Sequence, residues 1–363
     1  MREKQKHRKF NIKNTHKIWL SLSLILFGLL LSLLSRYING FADGYYTYVY
    51  RYLSVVFAFI FNLFPFSVAE IILYLLCLLM IGSILYGVLV ISRKKGQRKD
   101  YWAKVGCNGL LILSAIFFVF IIFCGINYQK TSFASKEGFS KKQYGVEELK
   151  EVCEYLTDKL NEIGEKDISF TNLRQNSRVA MKELSKTYTS LASYYPKPKY
   201  MLFAELLSYQ QVSGIYSFYT VEATYNSDMP VYQQPFVMCH ELAHLKGIMK
   251  EEEANFVAYL ACRNSQYSAF QYSGAMTAYS YCMNELYSYD KDAYMEIRGK
   301  LCDRANQDIE KKHDFWDKYE GAISNFQTKV NDVYLKANSQ VLGASSYNEV
   351  VALIVNDYLR KNK

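Results

Sequence analysis

The sequence predicts a membrane protein in which N-terminal transmembrane helices carry a mostly α-helical α+β domain. Three observations predict it. Apolar runs occupy 18–36, 68–91 and 107–126, each about long enough to cross a hydrocarbon core. Basic blocks flank those runs, and the chain beyond residue 127 turns polar, with apolar residues at helical spacing.

The charge is informative through its position. Of the net +9, residues 1–17 carry +6 and residues 92–104 carry +5, leaving −2 for everything else. A basic excess confined to the flanks of apolar segments is a topology signal, so nucleic acid is not an expected partner. With three spans in the region 18–127, the basic tail 1–17 and the loop 92–104 both face the cytoplasm. Residues 128–363 then form an extracytoplasmic domain of a multi-pass cell-membrane protein. The basic start resembles a signal peptide, but Ser35–Gly44 offers no small-x-small cleavage site.

Between the first two runs, 45–66 is rich in Tyr and Phe and reads as an interfacial segment in the lipid bilayer. A fourth span there would place one basic block on the wrong face. Glu70, at the start of the second run, reads as an interfacial side chain.

In the domain, Leu149, Val152, Leu156 and Leu160 predict a helix over Val146–Ile163. Ser177–Leu191 follows as a helix and Pro196-Lys197-Pro198 as a loop. Ile215–Tyr225 alternates and is rich in aromatic and β-branched residues, which predicts a strand. Tyr219 and Glu222 on it are either substrate contacts or ordinary half-buried positions. Further helices are expected at Ala269–Tyr287, along the charged stretch Asp290–Asn338, and at Tyr347–Tyr358. The lone His313 reads as a surface residue. Eight Cys without any C-x-x-C pair read as mostly free thiols.

The chemistry concentrates in Cys239-His240-Glu241-Leu242-Ala243-His244-Leu245-Lys246-Gly247. Residues i and i+4 of a helix stand one above the other, so His240 and His244 can share one Zn²⁺. Glu241 then lies beside the metal as a proton acceptor. Pro235 suits the first turn of that helix and Gly247 its stop. A catalytic zinc wants a third ligand and an open position. The next helical pattern, Glu251–Cys262, supplies the carboxylate: Glu251 first, Glu253 as the alternative, Glu252 last. Asn255, four residues after Glu251, is placed to hold an imidazole N–H.

His-Glu-x-x-His followed by Glu-x-x-x-Asn on the next helix is similar to the gluzincins, in which that first Glu is the third ligand. The fuller pattern, with Pro65-Phe66-Ser67-Val68-Ala69-Glu70, Gly214 through Asn226, Tyr334-Leu335-Lys336 and Ser346-Tyr347, resembles an uncharacterised bacterial family with membrane spans before a zincin-like domain. The resemblance implies a gluzincin-like peptidase fold; Asn255 departs from the Asp common in thermolysin-like enzymes. The expected function is a membrane-anchored zinc metallopeptidase acting on a peptide or protein outside the cytoplasm. The alternative is a catalytically silent zincin-fold receptor or scaffold, against which Glu241 argues, because a structural zinc needs no general base.

Overall fold

A computed structural model describes residues 2–338 and 347–362. It opens with α1 (Arg2–Tyr37), then α2 (Phe41–Tyr45), a π-helical turn at Tyr46–Tyr50, and α3 (Arg51–Asn62). Next come α4 (Val68–Leu89) and α5 (Arg98–Phe120). Three stretches are long and apolar enough to cross a membrane: Asn14–Tyr37, Val68–Arg93 and Arg98–Gln129. The backbone of the basic tail is not separate from the first of these, because α1 is helical from Arg2.

α1 and α5 run side by side. Lys17 pairs with Asn108, and Phe27 stacks on Phe118 at 5.8 Å. Both pairs share an offset of 91 residues, so the helices advance together and are parallel. Gly28 permits the contact, since a Cβ there would meet the Phe117 ring at 2.8 Å. Parallel neighbours require a return helix between them, and α4 is that helix.

The domain is mostly helical: α6 (Phe133–Lys136), α7 (Val146–Gly164), α8 (Leu173–Thr187), α9 (Ala204–Tyr209), α10 (Gln234–Leu245), α11 (Glu251–Arg263) and α12 (Ser268–Tyr289). Then follow α13 (Lys291–Gly299), α14 (Asp303–Asp317), α15 (Ala322–Ala337) and α16 (Tyr347–Asn362). The expected helix from Asp290 to Asn338 is thus three helices, the first ending at Gly299 and the third beginning just after Gly321. Ser346 of the family-like pattern lies outside the described residues. All eight cysteines are free.

The sheet corrects the single expected strand. Ile215–Tyr225 is a hairpin of β2 (Gly214–Ser217) and β3 (Glu222–Tyr225), with β1 (Lys199–Tyr200) parallel to β3 on the far side. β2 is therefore an edge strand. The turn carries Val221 at φ 55°, a costly conformation for a β-branched residue. It is held by burial of Val221 with Tyr50, Leu245 and Met249.

α10 and α11 lie in the core, packed among α7, α8, α12 and α16. α10 is apolar around most of its circumference, as a fully buried helix must be. It ends in a paired motif: Gly247 N–H donates to His244 O, and Ile248 N–H donates to Ala243 O. Gly247 has φ 73°, the left-handed cap that this motif uses. A Cβ there would also meet the rings of Tyr50 and Tyr46 at 3.0 and 3.1 Å.

Those rings show that the aromatic segment 45–66 also packs on the domain. One side of the segment packs on the domain: Tyr50 OH donates to Leu245 O at 3.0 Å, and Tyr46 OH donates to Ser190 O at 3.3 Å. The opposite side leaves Tyr48, Tyr52, Val56 and Phe59 exposed. The segment braces the end of the His-bearing helix.

Candidate metal centre

His240 and His244 sit on successive turns of α10, and α11 starts with Glu251 after the tight turn at Gly247. One donor atom from each residue lies within 4.8 Å of the others, a group able to hold a metal ion. The two Nε2 atoms are 2.9 Å apart. Glu251 Oε2 is 3.3 Å from His240 Nε2, and Oε1 is 3.5 Å from His244 Nε2.

The imidazole of His244 is oriented from behind. Its Nδ1 lies 2.7 Å from Ile248 O, and a carbonyl can only accept, so the proton is on Nδ1. In the neutral ring this leaves the Nε2 lone pair facing His240 and Glu251, the arrangement expected of a metal-binding His. His240 differs. Its buried Nδ1 has no hydrogen-bond partner among the described residues, although Asn255 lies close enough to favour the protonated ring.

The charges respond to burial and to each other. Burial pulls His244 down to about 4. Burial also lowers His240, but the hydrogen bond and charge of Glu251 outweigh it and the net direction is up. Desolvation raises Glu251, yet the two imidazoles hold it well below the usual carboxylate range. Burial pushes the Glu241 carboxyl up to about 8.

Glu241 points toward the sheet. A Cβ on Gly214 would stand 2.5 Å from its Oε1 and 2.8 Å from Val237 Cγ1, so the glycine at the start of β2 gives the carboxylate its room. A cavity of about 220 Å³ opens from His240, Glu251 and Asn255 toward Tyr232, Thr277 and Lys312.

The other sequence candidates have different work. The Glu253 carboxylate accepts the backbone N–H groups of Phe133 and Ala134 at 2.9 and 3.1 Å, capping the start of α6. It is committed there, so Glu251 and not Glu253 meets the imidazoles. Glu252 pairs with Lys141 at 3.1 Å. Glu222 and Tyr219 are turned to the start of α4, where Glu222 accepts from Val68 N and Ala69 N and Tyr219 OH donates to Ala69 O. Glu70 is buried and accepts from Leu202 N, Phe203 N and Tyr74 OH. His313 is exposed on α14.

Sequence reasoning passed over a group of tyrosines. The Tyr216 ring is 6.3 Å from that of His244, and its hydroxyl is 3.3 Å from Tyr50 OH. Tyr128 OH donates to Tyr334 OH at 3.1 Å. Burial raises the Tyr334 phenol first, and nearby groups including Glu251 affect it further. Among 33 tyrosines no spacing marks these four.

A mostly helical domain behind three membrane-length helices, with a buried His-His-Glu cluster, defines a class of candidate metalloprotein. The chain belongs to a family of unknown function, DUF3810, whose sequence pattern matches residues 45–355. No curated protein and no solved structure matches it.

Proposed function

We propose that this protein is a membrane-anchored zinc metallopeptidase with a gluzincin-like domain, and that His240, His244 and Glu251 hold the metal. The observation that carries the reading is the convergence of those three donors beside the buried Glu241. Zinc ligands at 2.0–2.1 Å in a tetrahedron stand roughly 3.3 Å from one another. The two imidazole nitrogens, 2.9 Å apart, and the separation of each from its nearer Glu251 oxygen, 3.3 and 3.5 Å, lie near that figure, with one donor atom from each residue within 4.8 Å of the others. Two imidazoles and one carboxylate are also a donor set of catalytic zinc sites.

Zinc held there supplies a Lewis acid for the scissile carbonyl and makes water acidic near neutral pH. The chain's own residues do the rest. Glu241 accepts a proton from the attacking water and returns it to the leaving amine. Its buried position supports that part, since a carboxylate with raised proton affinity holds a proton near neutral pH more readily. The free edge of β2 offers backbone groups to an extended peptide, as in strand addition. Gly214, at the end of that edge, sets the edge against Glu241.

The parallel course of α1 and α5 supports a three-span topology with both basic blocks on one side. By the positive-inside rule that side is the cytoplasm, and the domain lies outside.

The test is the zinc content of the purified protein and its variants. About one zinc per chain is expected in the parent and in Glu241→Gln, and none in His240→Ala. Glu241→Gln should lose peptide hydrolysis by about 10²-fold or more. A parent that takes up no zinc when zinc is supplied would remove the enzyme reading and leave a scaffold.

A further inference from the structure

The cavity that His240 and Glu251 line is also lined by a cation. Lys312 of α14 lines it together with Thr277 and Tyr232. Among the described residues it has no ion pair or hydrogen bond, while other lysines of the domain, Lys141 and Lys199, are paired with carboxylates. Its surroundings withdraw it from water, and this lowers its proton affinity. Glu251, the acidic residue lining the same cavity, is engaged with the imidazoles. A partly desolvated ammonium without a counter-charge is costly, and a carboxylate entering the cavity offsets that cost.

We propose that Lys312 is a specificity residue that binds a substrate carboxylate, either an acidic side chain or the free C-terminus of the peptide. The proposal rests on the peptidase reading and names its substrate class. The experiment digests a proteome-derived peptide mixture with the zinc-loaded full-length protein. Cleaved sequences are then resynthesised with Glu replaced by Gln, and separately with an amidated C-terminus. The expected result is a carboxylate at a fixed place relative to the cut, with a tenfold or greater loss of kcat/KM when the responsible one is removed. The Glu-to-Gln arm and the amide arm separate the two sources. Lys312→Met should abolish the preference, so that the carboxylate peptide and its neutral counterpart are cut with equal kcat/KM, and Lys312→Glu should turn it toward Lys or Arg. Cleavage without any carboxylate preference, or a preference unchanged in Lys312→Met, overturns the proposal. A protein that binds zinc and cleaves no peptide removes the peptidase reading, and this inference with it.

An independent observation concerns α15. Ile323, Phe326, Val330 and Val333 fall within one arc of the helix and are all exposed, Phe326 and Val333 to 68%. Lys329, Asp332 and Lys336 take a neighbouring arc, with Lys336 paired to Asp332 at 2.6 Å. A 16-residue helix with so little protein against it is marginal in water and needs a surface for its apolar face. Its C-terminal end meets the membrane-length helices. Ala337 O accepts from Arg36 in the last turn of α1, and the Tyr334 ring meets Phe120 of α5 at 6.0 Å. Just before its start, Tyr319 packs on Tyr209 of α9 at 5.0 Å. Phe203, which precedes α9, packs on Tyr74 of α4.

The geometry points to α15 as a helix lying in the surface of the bilayer, its apolar arc among the lipids where α1 and α5 emerge. Two single-tryptophan proteins test it, one keeping native Trp19 and one carrying Phe326→Trp, with the remaining tryptophans changed to Phe. Each is reconstituted in phosphatidylcholine vesicles with and without bromine at a shallow acyl position. Quenching of both emissions by half or more is expected. Trp19 quenched with the tryptophan of Phe326→Trp unquenched overturns the placement of α15 alone. Neither quenched overturns the membrane reading as well.

Discussion

Glu222 and Glu70 each hold backbone N–H groups in the other's part of the chain. Glu222, on the sheet, accepts Val68 N and Ala69 N at the start of α4, while Glu70 of α4 accepts Leu202 N and Phe203 N just ahead of α9. The Glu222 carboxylate, on the free N–H groups at the start of α4, complements that helix's dipole. Lys199, buried against Glu222, also donates to Phe61 O at 2.7 Å. One clasp thus joins the sheet, the loop before α9, α3 and α4.

Breaking this clasp from one side should be expensive. Glu222→Gln leaves the Lys199 ammonium buried without its counter-charge, at an expected cost of about 3–5 kcal/mol. Denaturant unfolding of the detergent-solubilised protein measures it. Adding Lys199→Met should recover part of the loss. A cost below about 1 kcal/mol would show that the pair does not hold the domain to α4.

Gly214→Ala separates the position of Glu241 from metal binding. The new methyl would stand 2.5 Å from Glu241 Oε1, so the carboxylate must move. Zinc content should stay at the parental value while peptide hydrolysis falls by about 10²-fold. Equal turnover in the two proteins would mean that the carboxylate needs no room at the strand.

The two acids of α11 should behave oppositely. Glu251→Ala is expected to lose zinc with little effect on the start of α6. Glu253→Ala should keep zinc and lose about 1–3 kcal/mol, because the N–H groups of Phe133 and Ala134 are left unpaired in a buried place. Metal analysis and thermal unfolding of both variants check the assignment, which reverses if the zinc losses are exchanged.

Lys130 supplies a pH dependence outside the metal cluster. Burial, reinforced by the charges of Lys136 and Lys250, draws its ammonium down to about 8, against the partial support of Glu253 and Asp43. Its Nζ also lies 4.7 Å from the centre of the Tyr46 ring. With the folded value below the unfolded one, the associated stability is present above about 10.5 and is lost as pH falls through about 8. Lys130→Met should therefore exceed the parent in stability at pH 7, by at most about 3 kcal/mol, and by less at pH 10. Paired melting curves at the two pH values decide it; a difference that grows with pH contradicts the burial argument.

What the sequence could show depended on how local the cause was. The ends of α10 follow from Pro235 and Gly247, and the His240–His244 pairing from helical spacing, so both are readable from neighbouring residues. Three long apolar runs announce themselves by length alone. The β2–β3 turn did not, because it places Val221, rather than Gly or Asn, in the left-handed region and relies on burial by distant Tyr50. The sequence left Glu222 open between a substrate contact and a half-buried strand position because its partners, Val68 and Ala69, lie about 150 positions away. The breaks at Gly299 and Gly321 in the charged stretch were signalled locally and outweighed by its helical composition.

The clasp at Glu222 also sets a length scale. With α4 tied to the sheet and α10 braced by Tyr50, the His-His-Glu cluster cannot swing freely about its membrane-length helices. In the proposed three-span topology, its height over the bilayer surface would then be a constant of the molecule. A substrate tethered in the same membrane would meet the cluster at a set number of residues from its own anchor. On the proposed peptidase reading, the clasp would make the protein a ruler, with the cut placed by distance as well as by side chain.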